Sequence, residues 1–90
     1  MSENKTSFKI DDKTYTILLT SNGISEAEML TGLNLWNMAS LKMSHIRALV
    51  YAGIKGQHDV KTLEDVGRLL DLNFDAACSA ATEAYTKYFG

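Results

Sequence analysis

The twelve residues SHIRALVYAGIK, from Ser44 to Lys55, decide the fold. Apolar residues recur there with the i, i+3, i+4, i+7 spacing of one helical face, and the opposite side is apolar too. The first face carries Ile46, Leu49, Val50 and Gly53, and the second carries Ala48, Tyr51, Ala52 and Ile54. A helix that is apolar on nearly every side is buried, and this apolar run is far shorter than the roughly 20 residues of a membrane span. We therefore predict a central core helix that the other segments cover.

The composition of the chain indicates one globular domain. The chain has 90 residues, of which 46% are hydrophobic and 22% are charged, and it contains no proline. A chain of this length has no room for a second core. We predict a single domain over residues 1–90, in which residues 1–5 are a flexible lead-in. The net charge of −2 excludes a general electrostatic attraction to nucleic acid or to anionic membranes.

A single cysteine indicates a reducing compartment. Cys78 has no partner for an internal disulfide, and no apolar run of the secretory type follows Met1. Alanines surround Cys78 in the sequence, and a thiol in such surroundings packs as a small apolar group. We therefore expect a cytoplasmic protein in which Cys78 has a structural role.

Two alternating segments near the amino terminus predict a β-hairpin. Apolar and polar residues alternate on both sides of a turn at Asp11-Asp12, and the apolar members are Phe8, Ile10, Tyr15, Ile17 and Leu19. The second strand is predicted to be the longer one. An isolated hairpin is marginal in water, so its apolar face must rest on helices. Its unpaired edges leave two roles open, a cover for the core or a docking element for a neighbouring chain.

Capping signals divide the rest of the chain into helices. Ser25 to Glu28 has the capping-box form and predicts the start of a short helix, which should end at Thr31-Gly32. Asn34 can cap the next segment. Whether residues 34–55 form one helix or two stays open, so the prediction is four or five helices in total.

The last two helices have clear start signals. Thr62 to Asp65 has the [ST]-x-x-[DE] form, and the helix that it begins should end near Asp71. Asn73 is placed to cap a final helix with a regular apolar stripe. That stripe contains Phe74, Ala77, Cys78, Ala81, Ala84, Tyr85 and Tyr88. The predicted fold class is α+β and mostly α-helical, with an N-terminal β-hairpin packed beside four or five short helices.

The residues that carry chemistry do not form a catalytic or metal-binding pattern. His45 and His58 are the only histidines, and neither has a cysteine or second histidine at metal-ligand spacing. Ser44 and His45 are adjacent, and their side chains diverge on a helix. No phosphate-binding glycine loop is present. We predict a protein that is not an enzyme and that uses no cofactor or metal.

A basic middle segment makes a small DNA-binding regulator the alternative. Lys42, Arg47, Lys55 and Lys61 outnumber the single Asp59 there. The predicted loop is longer than the three- to four-residue connection of a usual helix-turn-helix, however, and the helix after it begins with acidic residues. A head-tail joining protein is a third candidate.

A contact surface for other proteins is the remaining possibility. Aromatic residues and methionines are enriched at such surfaces, although each of them can equally belong to the core. The candidates for partner binding are Trp36, Met38, Met43, Tyr85, Tyr88 and Phe89.

The order of the motifs resembles a known family. After the hairpin come LTG (Leu30–Gly32), RALVYAGI (Arg47–Ile54), TLEDVG (Thr62–Gly67) and LLD (Leu69–Asp71). In this order and spacing the chain resembles the small tail assembly chaperones of long-tailed bacteriophages and related gene-transfer particles. The similarity extends from about Phe8 to Tyr85.

The resemblance implies a non-catalytic protein of the infected bacterium's cytoplasm. Such a protein coats the tape-measure protein, supports tail-tube assembly, acts as a homo-oligomer and is absent from the mature virion. Its partners would be the tape-measure protein and the tail-tube protein, with no nucleic acid and no membrane. The family often also makes a longer, frameshifted form with an added domain, which residues 1–90 do not show. It has no active-site signature, so the matched residues are expected to determine the fold.

Overall fold

A computed structural model describes residues 5–35, 42–54 and 60–89. Its elements, in chain order, are β1 (Lys5–Ile10), β2 (Lys13–Leu18), α1 (Ser21–Thr31), α2 (Met43–Ile54), α3 (Leu63–Leu72) and α4 (Phe74–Phe89). The two strands form one antiparallel sheet, and the helices pack beside it. The predicted α+β class, mostly helical with an N-terminal hairpin, is confirmed.

The hairpin buries one face, as its alternating sequence predicts. Phe8 pairs with Tyr15 in the ladder, and their rings stack with centroids 5.6 Å apart. The backbone at Asp11 takes the left-handed conformation, with φ 54°, to make the turn. The prediction that the second strand is longer is wrong, because each strand has six residues. Leu19 is buried as predicted, but it lies beyond the pair of Lys5 with Leu18.

Helix α1 begins earlier than the sequence predicts. Thr20 is the N-cap, and its side-chain oxygen accepts a hydrogen bond from the Gly23 amide at 3.0 Å. The predicted capping box at Ser25 is therefore wrong, and Glu28 accepts instead from the Leu35 amide at 2.9 Å. The first turn of α1 packs closely on α2, because any Cβ at position 23 would overlap the Ala52 carbonyl.

The predicted end of α1 is confirmed. Gly32 has φ 73°, the left-handed conformation of a helix end, and its amide donates to the Glu28 carbonyl. Leu35 is fully buried three residues later. Residues 36–41 lie outside the described residues, and α2 begins at Met43. Whether a separate helix precedes α2 between residues 34 and 42 therefore stays a prediction.

Helix α2 is the centre of the molecule, as predicted. Every residue from Ala48 to Ile54 is buried, and α2 contacts β2 and all three other helices. Gly53 allows the sheet to come close, because a Cβ there would overlap the Ile17 side chain and lie 3.1 Å from the Leu18 nitrogen. Residues 48–54 of the central helix are therefore enclosed by the sheet and the other three helices.

The predicted starts of α3 and α4 are confirmed. The Thr62 side chain accepts from the Asp65 amide at 3.1 Å, and the Asp65 carboxylate accepts from the Thr62 amide at 3.2 Å. The Asn73 side chain accepts from the Ala76 amide at 3.2 Å, and α3 ends one residue beyond Asp71. Helix α4 presents a buried face of alanines to the sheet and to α2.

Candidate functional site

The described residues contain no cluster of metal-binding groups. No three histidine, cysteine or acidic side chains come close enough to hold a metal ion within residues 5–35, 42–54 and 60–89. Cys78 is half-buried and packs against the core. None of the helices in these ranges has the length and apolarity to cross a bilayer. The surface of this part of the chain is therefore where we look for a site.

The structure separates the candidate residues that it describes. Met43 stands at the start of α2, with 60% of its surface exposed. Tyr85, Tyr88 and Phe89 lie at the end of α4 and are half-buried. Trp36 and Met38 lie outside the described residues. The candidates thus belong to at least two regions of the surface.

The aromatic residues at the end of α4, Tyr85, Tyr88 and Phe89, lie where this helix contacts α1 and β1. The Phe89 ring packs on Tyr85 and Tyr88, with centroids 4.7 and 4.9 Å away. The Tyr88 hydroxyl lies 2.5 Å from the Ser21 hydroxyl of α1. The Lys87 ammonium donates to the Lys5 carbonyl of β1 at 3.2 Å. These contacts have a clear structural role, and partner binding by the three rings stays a prediction.

Met43 belongs to an open groove of about 880 Å³. One wall is the start of α2, the other is α3, and the first residue of α4 closes one end. The lining residues are Lys42, Met43, Ser44, Arg47, Glu64, Gly67, Arg68, Leu70, Asp71 and Phe74. A concave surface of this size is large enough for side chains of a partner.

Two large apolar side chains are exposed at the groove. They are Met43 on α2 and Phe74 at the start of α4, and Phe74 is 38% exposed. The sequence placed Phe74 in the buried stripe of α4, although it lies one turn before the first fully buried alanine, Ala77. Phe74 is the first residue of α4, and a residue at a helix start is less enclosed than one in the middle of the helix.

Gly67 keeps the floor of the groove open. It lies in the interior of α3, where glycine is unfavourable compared with alanine. Among the described residues, a Cβ at this position would meet only the Cδ atom of Arg47, at 3.9 Å, which is an ordinary contact. Packing therefore does not require a glycine here, in contrast to Gly53.

The charges of the groove are distributed unequally between its walls. On α3, the Arg68 guanidinium pairs with Glu64 at 3.2 Å and with Asp65 at 2.7 Å. On the α2 side, Lys42 and Arg47 are in no ion pair within the described part of the chain. Arg47 is half-buried over Gly67, and Asp71 is the one lining carboxylate that Arg68 does not pair with. The α2 wall is therefore an uncompensated basic surface.

Asp65 anchors the start of the α3 wall. Hydrogen bonds from the Lys61 amide and from Arg68 lower the pKa of the Asp65 carboxyl below its ordinary range. The same hydrogen bond to Asp65, with the nearby charge of Glu64, raises the pKa of Arg68. Arg68 therefore stays charged and is paired with two carboxylates of its own helix, whereas Arg47 and Lys42 line the groove without an ion pair in the described part of the chain.

The chain was compared with models of protein families, with curated proteins and with solved structures, and none of them matches it.

Proposed function

We propose that this protein is a non-catalytic tail assembly chaperone of a long-tailed bacteriophage or related gene-transfer particle. It coats the tape-measure protein in the host cytoplasm, supports tail-tube assembly through protein contacts, and leaves before the virion is complete. The proposal starts from the order of the motifs between Phe8 and Tyr85.

The observation that carries the proposal is the exposed groove between α2, α3 and the start of α4. A tape-measure protein is long and helical, and helices bind other proteins by placing apolar side chains in grooves. Met43 and Phe74 supply exposed apolar surface at such a groove. A small domain with one groove per copy suits a coat in which many copies shield one long partner.

The hairpin supports a role in contacts between copies. The sheet has two strands only, so each strand has one edge without a ladder partner in the described chain. Unpaired edges accept strands from other chains. An oligomeric coat would use such contacts between its subunits.

The charge distribution favours a protein partner over DNA. The Arg68 guanidinium faces Glu64 and Asp65 on its own helix, so α3 presents little positive charge to phosphates. The net charge of the chain is also negative. A DNA-binding regulator, the alternative from the sequence, needs a basic face on the helix that enters the groove of DNA.

Coexpression with the tape-measure protein of the same particle tests the proposal. We expect this protein to hold the tape-measure protein in the soluble fraction as a complex with many copies per partner, measured by size-exclusion chromatography with light scattering. The matched control is Leu49→Ala, which removes core packing and should abolish the effect. An insoluble tape-measure protein, together with a mass that rises only when DNA is added, would contradict the chaperone function and support the regulator.

A further inference from the structure

We propose that the groove between α2 and α3 binds an amphipathic helix whose apolar stripe is flanked by acidic residues. The apolar stripe lies against Met43 and Phe74, and the acidic flank faces Arg47 and Lys42. The helix is assigned to the tape-measure protein only because the proposed function makes that protein the partner. The charge and shape of the helix follow from the groove itself.

The apolar surface of the groove defines the stripe. Met43 and Phe74 stand on different helices, and Leu70 of α3 also lines the groove. Large apolar side chains grouped around a concavity mark a binding surface, whereas isolated ones are common on any protein. A helix presents apolar residues at i, i+3, i+4 and i+7, and such a stripe can lie in a groove between two helices.

Arg47 and Lys42 determine the charge that the flank of the partner helix must carry. Arg47 is half-buried, and no carboxylate of the described residues pairs with it. A partly desolvated guanidinium without an anion is unfavourable, and an incoming carboxylate relieves this cost. Lys42 continues the positive charge along the same wall, so the acidic residues of the partner must lie on its α2 side.

Gly67 defines how closely the helix approaches. Any larger side chain at this position would project from the floor over Arg47, since Arg47 Cδ is the nearest heavy atom to a Cβ built there. The glycine therefore costs helix stability and leaves space that internal packing does not use. An apolar side chain of the partner fills that space.

Two synthetic helical peptides of about 20 residues test the charge assignment, a length at which an isolated helix can be populated. Both carry leucines at i, i+3, i+4 and i+7, and one has glutamates along a flank where the other has lysines. Fluorescence anisotropy of labelled peptides with the full chain gives the dissociation constants. We expect the glutamate peptide to bind about tenfold more tightly, as charge pairs at partly buried interfaces do.

Four variants locate the site. Arg47→Gln should reduce the difference between the two peptides, because it removes the half-buried positive charge with little change in size and leaves only Lys42 on this wall. Met43→Asp and Gly67→Leu should each weaken binding of both peptides about tenfold or more, by breaking the apolar stripe and by filling the floor. Met29→Asp is the matched control, since Met29 is 83% exposed on α1 and does not line the groove. Circular dichroism melts establish that each variant is folded.

Three results would contradict the proposal that the groove binds an acidic amphipathic helix. These are equal binding of the two peptides, an unchanged preference in Arg47→Gln, or full binding by folded Gly67→Leu and Met43→Asp. A loss of self-association in Met43→Asp, with no peptide binding by the unaltered chain, would show that a second copy occupies the groove. Stronger binding of the lysine peptide would reverse the charge assignment and equally contradict it.

The tape-measure protein separates failure of the groove from failure of the function. If that protein forms the complex equally with the unaltered chain, Met43→Asp and Gly67→Leu, the groove is not its site and the chaperone function stands. If it forms no complex while the glutamate peptide binds in the groove, the chaperone function fails and the acidic-helix site stands.

Discussion

At the scale of single residues, Leu49 carries the largest stability prediction. Its side chain is 1% exposed in the middle of α2 and is enclosed by the other elements. Leu49→Ala leaves a cavity and should lower the free energy of unfolding by about 2 to 5 kcal/mol, measured by urea denaturation. Domains of this size have roughly 5 to 10 kcal/mol in total, so the variant loses a substantial share of its stability. A loss below about 1 kcal/mol would show that α2 is not central.

Gly67 of α3 and Gly53 of α2 should respond to alanine in opposite directions. Gly67→Ala adds a Cβ at ordinary contact distance from Arg47 and should stabilise the fold by roughly 0.5 to 1 kcal/mol through helix propensity. Gly53→Ala should destabilise it, because its Cβ would overlap Ile17 and crowd the Leu18 backbone. Thermal melts of the pair measure both signs. If Gly67→Ala also destabilised the fold, the floor of the groove would be more tightly packed than its 3.9 Å contact indicates.

At the scale of elements, local signals predicted most starts and ends. Thr62, Asn73 and Gly32 each act through neighbours within four residues, so the sequence contains the whole interaction. Alternation predicted the buried face of the hairpin for the same reason. The start of α1 was missed because two cap signals lie close together, Thr20 and Ser25, and the helix begins at the first of them. The close approach of Gly23 to the Ala52 carbonyl of α2, which a bulkier residue would block, has no local signal.

The groove could be predicted only in part. Met43 was a candidate on composition, since methionine is common at contact surfaces. Arg47, Gly67 and Phe74 belong to three different helices and acquire a shared role only when α2, α3 and α4 pack together. Sequence patterns within one helix do not contain this arrangement.

The start of α3 should be sensitive to acid. The pKa of Asp65 is lowered in the folded state, so its carboxylate stabilises the fold above the ordinary aspartate range and loses that effect as the pH falls below about 4. The melting temperature of the unaltered chain should therefore fall more steeply below this pH than that of Asp65→Asn. Asp71→Asn is the matched control, because its carboxylate caps no helix. Parallel slopes for the unaltered chain and Asp65→Asn would mean that the Asp65 contacts contribute little.

At the scale of the whole molecule, the exposed apolar surface predicts self-association. Met29 and Leu30 are adjacent on α1 and are 83% and 56% exposed, outside the groove of α2 and α3. Together with the strand edges that have no ladder partner in the described chain, these two side chains offer surface for contacts between copies. We expect the mass in solution, measured by light scattering, to grow with protein concentration and to be unchanged by DNA.

Variants and salt separate this assembly from unspecific aggregation and from DNA binding. Met29→Asp should lower the mass at a given concentration and leave the glutamate peptide bound, since the two surfaces are distinct. Association through apolar contacts should also persist at high salt, where binding to phosphates is lost. A chain that stays monomeric at every concentration and gains mass only with DNA, in a salt-sensitive way, would reject the coat and make the DNA-binding regulator the better account. Growth that Met29→Asp leaves unchanged would instead place the contact between copies elsewhere, with the strand edges next to be tested.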